Sequence, residues 1–144
     1  MNQVAEILAG KRGDVLRIDV AASVFDAVKT MVEANVGSLL VTDGGDITGI
    51  VTERDYLRRA ALEGRPDRET PVREIMSSPV ICVTSDTDIE ECMALMTDKH
   101  VRHLPVMDAD RLIGILSIGD IVKAVISEKQ FLIEQLENYI SGGG

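Results

Sequence analysis

The chain has no tryptophan, and only two phenylalanines and two tyrosines in 144 residues. Aromatics make up 3% of it while hydrophobic residues make up 45%, so a packed core has to be built from Val, Ile, Leu, Met and Ala. Positive charge is also scarce: 15 Lys and Arg stand against 24 Asp and Glu, a formal net charge of −9. Affinity for DNA or RNA comes largely from clustered cations that release counterions, so a nucleic-acid partner is excluded as a class. A mononucleotide is not excluded, because one or two local cations and a few backbone donors suffice for it. No stretch approaches the roughly 20 apolar residues of a membrane span, and Met1-Asn2-Gln3-Val4-Ala5-Glu6 lacks the basic opening of a signal peptide. No membrane partner and a cytoplasmic location are expected.

Cysteine is limited to Cys82 and Cys92, neither of them in a CxxC, and both are expected to be reduced and packed as small apolar residues. The two histidines, His100 and His103, lack spaced carboxylates, so no metal site is expected. There is no Walker loop, no dinucleotide fingerprint and no nucleophile beside an oriented base. Catalytic residues and a catalytic cofactor are therefore absent from this reading, and the chain is expected not to be an enzyme.

What the chain does have is a duplication. Residues 15–60 align on 80–125 without a gap, with Val15 on Val80, Met31 on Met96, Leu39 on Leu104, Asp43 on Asp108, Gly49-Ile50 on Gly114-Ile115 and Asp55 on Asp120. Each copy reads as strand, helix, strand, strand, helix. In the first, Val15–Ile18 is a strand, Ser23 caps a helix carrying Val24, Ala27, Val28, Met31 and Val32, and Asp43-Gly44-Gly45-Asp46 joins two apolar runs as a hairpin. A second helix follows from about Thr52 to Leu62. The second copy repeats this with strands Val80–Val83, Leu104–Met107 and Leu112–Leu116 and helices Ile89–Lys99 and from Ile118.

The expected fold is α/β (α+β), two pseudo-two-fold-related repeats with three-stranded sheets packed by helices. Repeat 1 covers about 14–63, a linker 64–79, repeat 2 about 80–126, and a long C-terminal helix 118–141, all within one module because each half is too short for its own core. A short lead helix, Asn2–Ala9, lies outside the repeat and stops at Gly10-Lys11-Arg12-Gly13. The stripe Val122, Val125, Leu132, Leu136 and Tyr139 outruns the repeat, and either forms a homodimer contact or packs back on the lead helix. Ser141-Gly142-Gly143-Gly144 reads as a frayed end.

The strongest chemical signal is the matching pair Gly49-Ile50-Val51-Thr52-Glu53-Arg54-Asp55 and Gly114-Ile115-Leu116-Ser117-Ile118-Gly119-Asp120. In each, a strand ends, a hydroxyl residue starts a helix, and an aspartate follows three residues later. Two readings stand. Ser/Thr-x-x-Asp is the sequence of a capping box, found also at Ser23 with Asp26 and Ser85 with Asp88. It also suits a ligand, since helix-start amides favour an anion and a carboxylate one turn in can accept from two vicinal ribose hydroxyls. Gly49 and Gly114 would let a ligand or a backbone come close.

The duplicated unit, these two endings, the His103-Leu104-Pro105-Val106 strand entry and the Glu74-Ile75-Met76-Ser77 linker together resemble a tandem pair of cystathionine-β-synthase (CBS) domains, a Bateman module, over residues 2 to about 126. The resemblance implies a non-catalytic regulatory sensor that binds adenosine nucleotides between its repeats, AMP favoured and ADP or ATP allowed, and signals to a regulated protein by conformational change. NAD or S-adenosylmethionine in one or both sites, or a ligand-free dimerisation scaffold, are the alternatives. Carried over by position, one site combines Ile115, Ser117 and Asp120 with Arg17, Ile18 and Ala22, its phosphate meeting Arg102 and His103. For His103 a plain surface or dimer-contact role stands beside phosphate contact. The other site combines Ile50, Thr52 and Asp55 with Ile81, Cys82 and Val83. There Gly37 and Ser38 replace Arg102 and His103, leaving Arg54 as the local cation, so the two sites are expected to differ.

Overall fold

Side-chain caps at Ser23, Thr52 and Ser117 start three of the helices of the computed structural model, which describes residues 3–11 and 15–141. Ser23 accepts from the Asp26 amide at 3.1 Å and opens α2 (Val24–Ala34), which buries Val24, Ala27 and Met31. Asn35 and His100, in left-handed conformation at φ 54° and 55°, end α2 and α4 (Ile89–Lys99) respectively. The other helices are α1 (Val4–Ala9), α3 (Glu53–Asp55), which runs on as a π-helical segment Tyr56–Ala61, and α5 (Ile118–Ile140). The strands are β1 (Arg17–Asp19), β2 (Ser38–Asp43), β3 (Asp46–Thr52), β4 (His103–Asp108) and β5 (Arg111–Ser117).

The chain divides into two units. In the first, residues 14–81, β1 pairs parallel to β2 and β2 antiparallel to β3. Val24, Ala27, Met31, Leu39, Val41, Val51, Ala60, Val72 and Ile75 form its core. Residues 70–76 are more than a linker: Val24 donates to Thr70 O and Val72 to Ala22 O, while Val72 and Ile75 are fully buried. Arg59 of the π-helical segment reaches Met76 O at 2.8 Å and holds the end of that segment in place.

The second unit contains residues 82–144 together with 1–13, so the lead helix, outside the repeat as expected, belongs to the unit of the second repeat. Val4 and Ala5 donate to Thr87 O and Ser85 O, and Val4 is fully buried. The reason is the same on both sides. A short apolar turn, Val4–Leu8 in one unit and Val72–Met76 in the other, covers a core that the repeat alone leaves open.

The two units repeat each other's irregularities. Both hairpins carry a register shift after the same position, Val41 and Val106. Where Gly44 and Gly45 turn the first hairpin, Ala109 and Asp110 adopt φ 49° and 63° in the second.

One expected strand is nearly lost. Val80–Val83 forms no strand, only a parallel bridge from Val83 to Val106, with Val83 donating to Pro105 O and Met107 to Val83 O. The first repeat extends this ladder because Leu40 donates to Leu16 O at 3.1 Å. Pro105 aligns with Leu40 and has no N–H to give, so the ladder stops at Val83.

Beyond Ser127 every described residue of α5 is exposed. Only the first turns of this helix pack on α1, α4 and β5, with Ile121 its one buried residue. The alternative in which the stripe folds back on the lead helix is not what the structure shows: Val122, Val125, Leu132, Leu136 and Tyr139 are all exposed, between 40% and 80%, and the face of α5 beside the lead helix is Asp120, Lys123, Ala124 and Ser127. Residues 12–14, with part of the expected helix stop, and 142–144, the expected frayed end, lie outside the described residues. No helix among the described residues is long and apolar enough to cross a membrane.

Candidate functional site

Both hydroxyl–aspartate pairs form reciprocal capping boxes. Thr52 Oγ1 accepts from the Asp55 amide at 3.2 Å and Asp55 Oδ2 accepts from the Thr52 amide at 3.0 Å. Ser117 Oγ accepts from the Asp120 amide at 3.1 Å, and Asp120 Oδ2 accepts from the Ser117 amide at 2.8 Å. A further donor at each helix start is taken by the strand entry: Glu53 donates to Gly37 O, and Ile118 to Arg102 O at 2.9 Å. The expectation of open helix-start amides waiting for an anion is corrected here, since most of that capacity is spent inside the protein.

The carboxylates differ in what else they hold. Asp55 is buried, its Oδ1 accepting from Ser77 Oγ at 3.0 Å and its Oδ2 also from Thr52 Oγ1 at 3.2 Å. Asp120 is less covered, with a side chain 23% exposed, and its Oδ2 takes the Lys11 ammonium at 2.7 Å. Among the described residues its Oδ1 has no partner. Burial pushes the Asp120 carboxyl up, but the Lys11 hydrogen bond and charge and the Ser117 donors outweigh it, so the group sits below its ordinary 3.8.

The same two acceptors are met in both units by one residue from the lead segment. Ser77 covers Ile50 O with its amide at 2.8 Å and Asp55 with its hydroxyl. Lys11 covers both Ile115 O and Asp120 with its ammonium. A neutral serine thus stands at one aspartate and a cation at the other. Lys11 escaped the sequence reading because it lies outside the duplicated stretch and far from Asp120 in the chain; the only signal was a lysine just after the lead helix.

The two glycines before the caps are explained by the chain itself. A Cβ on Gly49 would lie 2.7 Å from Met76 Sδ and 2.8 Å from Ser77 O, and one on Gly114 would lie 2.9 Å from Leu8 Cδ2. Both approaches are to the lead segments: at Gly49 backbone comes close, in keeping with the backbone alternative, whereas at Gly114 it is the Leu8 side chain.

Of the remaining expected residues, Arg102 is exposed just before β4, and His103 opens β4, half-buried and paired with Ser117. Ile115 is buried on β5 opposite Pro105. These four, with Asp120, belong to one unit, as do Cys82 and Val83. Arg17, Ile18 and Ala22 belong to the other, at β1 and the turn after it, with Ile18 and Ala22 against the core and both Ala22 backbone groups taken, by Asp19 O and the Val72 amide. Ile50, Thr52, exposed Arg54, Asp55 and Ile81 lie in that same unit. Cys92 is fully buried as expected, but Cys82 is exposed, contrary to the packing expected of it. No group of His, Cys, Asp and Glu suited to a metal occurs among the described residues.

A family model for the CBS domain matches residues 4–62 and 72–127. Among curated proteins, the mitochondrial CBS domain-containing protein CBSX3 of Arabidopsis thaliana is 44% identical over 126 residues, covering 84% of this chain; the chain spans 61% of that relative's length. Among solved structures, a protein with CBS domains from Burkholderia ambifaria is 48% identical with a TM-score of 0.84, covering 87% of this chain and 94% of its own. A hexameric CBS-CP12 protein from bloom-forming cyanobacteria is 33% identical with a TM-score of 0.75, covering 83% and 69%.

Proposed function

The chain belongs to the CBS domain family, as a tandem pair of such domains, and from that premise we propose that it is a non-catalytic regulatory module for an adenosine nucleotide, AMP before ADP or ATP. The observation that carries this reading is Asp120. It is a carboxylate fixed by its capping box at a helix start, still partly exposed, with one oxygen open to accept from a ribose. Ser117, Ile115, Arg102 and His103 of the same unit, with Arg17, Ile18 and Ala22, complete the proposed residue set. The Asp55 set, Ile50, Thr52, Arg54, Ile81, Cys82 and Val83, is the weaker, because a ribose there has to displace Ser77 from a buried carboxylate. NAD or S-adenosylmethionine is the variant of this reading for that second set.

Binding serves as a signal only to the extent that the ligand prefers one conformation over another. A ligand of micromolar affinity brings about 8 kcal/mol, of which that preference is the usable part. The proposed output goes to a regulated protein, and self-association runs through the exposed stripe of α5.

The competing reading, a ligand-free scaffold, is favoured by the capping boxes, in which both aspartates already have a structural role. Titration calorimetry with AMP separates the two. Asp120→Asn should lower AMP affinity by about 1.5 to 3 kcal/mol, the usual worth of a hydrogen bond to a charged group. Unchanged affinity in that variant, or no adenylate binding by the unaltered chain, would leave the scaffold standing.

A further inference from the structure

The helix start at Asp120 has little left to offer an anion, because Ser117, Ile118 and Asp120 already donate their amides to Asp120 Oδ2, Arg102 O and Ser117 Oγ. Any phosphate held beside this carboxylate must therefore be met by side-chain cations. The structure places two of them there.

A depression of about 520 Å³ lies wholly within this unit, between the lead helix and the first turns of α5. That volume falls in the range of small-ligand clefts, roughly 300–1,000 Å³. Its α5 wall is one helix face, Asp120, Lys123, Ala124 and Ser127, at spacings of three and four. The facing wall carries Glu6 and Lys11. Glu6 is itself partnered. Lys11 bridges Asp120 and Ile115 O, and Lys123, one turn along from Asp120, is exposed with no partner among the described residues.

We propose that Lys11 and Lys123 form the phosphate end of the Asp120 half-site, so that this half-site selects a nucleotide over its nucleoside. The inference rests on the adenosine reading for the identity of the ligand, and on the depression and its two ammoniums for the phosphate. Lys11 is a compact charge on a flexible four-carbon stem with three donors, 37% exposed, and can turn from Asp120 to a phosphate oxygen while its carboxylate partner accepts the sugar. At the other aspartate the residue in the position of Lys11 is Ser77, which brings no charge; Arg58 alone aligns with Lys123, on the π-helical segment. Lys11 thus adds a second difference between the half-sites to that of Arg102 and His103, which stand where the first repeat has Gly37 and Ser38.

The test is calorimetry on the full chain with AMP and adenosine as separate probes, comparing it with Lys11→Met, Lys123→Met and Lys11→Arg, and NMR of the lysine ammonium groups during titration with inorganic phosphate. The unaltered chain should bind AMP about tenfold or more tightly than adenosine, each methionine variant should bring the two affinities close together by weakening AMP alone, and Lys11→Arg should keep the preference. Equal weakening of AMP and adenosine would assign the lysines a merely structural role and overturn the proposal, as would a preference for AMP that survives both methionine variants. If neither adenosine nor AMP binds while phosphate still shifts Lys11 and Lys123, the adenosine reading falls and the anion subsite stands; if phosphate also leaves them unmoved, both fall.

Discussion

Ser77 Oγ donates to Asp55 Oδ1 at 3.0 Å, while the Ser77 amide donates to Ile50 O at 2.8 Å, so a single residue of the interdomain segment ties the first repeat's capping box to its last strand. Asp55→Ala removes the acceptor of the Thr52 amide and of two hydroxyls at a buried position. It should cost about 2 kcal/mol, against about 1 kcal/mol for Asp120→Ala, where the lost partners are nearer water. Urea unfolding of the two variants reads the difference, and an equal or reversed order would contradict the unequal burial of the two carboxylates.

Gly49 and Gly114 occupy equivalent places but face different neighbours. An added methyl at Gly49 meets the Ser77 carbonyl as well as Met76, and backbone cannot step aside. At Gly114 it meets only the Leu8 side-chain end, which can rotate. Gly49→Ala should cost about 2 to 3 kcal/mol and Gly114→Ala about 1 kcal/mol or less. Thermal unfolding decides it, the two variants being expected to melt in that order.

The depressed Asp120 carboxyl gives a pH dependence with a definite sign. Its folded value lies below the ordinary 3.8, so the pairing stabilises fully above that value and is lost as the pH falls through the folded one. In Lys11→Met the strongest depressing partner is gone while burial remains. Acid unfolding of that variant should begin at a higher pH than in the unaltered chain, with the difference confined to the acid limb; coincident acid limbs would count against a folded Lys11–Asp120 pair.

The exposed end of α5 carries Phe131, Leu132, Ile133, Leu136, Tyr139 and Ile140, each between 48% and 81% exposed. Replacing Leu132 and Leu136 together by Glu should turn a self-associated species into a monomer while leaving AMP affinity unchanged. Sedimentation equilibrium reads the mass, and an unaltered dimer after the double substitution would move the interface elsewhere.

Much of this was legible before any coordinates. The gapless duplication located both caps, both hairpins and both main helices, because hydrophobic periodicity and turn chemistry act within a few residues. Pro105, standing where the first copy has Leu40, even carried the reason why the second parallel ladder breaks off. Its meaning required knowing that Leu40 uses its N–H to bond Leu16 O.

The sequence by itself determined which residues cap, turn and alternate, hence the two repeats and the positions of Asp55 and Asp120. Only the tertiary structure decided that the segments before each repeat complete the cores, that Gly49 and Gly114 make room for them, and that Lys11 rather than a serine reaches Asp120. The physical reason is range. Caps and turns are settled by neighbours three or four residues apart, whereas the charge beside Asp120 comes from a residue more than a hundred positions away, brought there by burial of Val4 and Ile7.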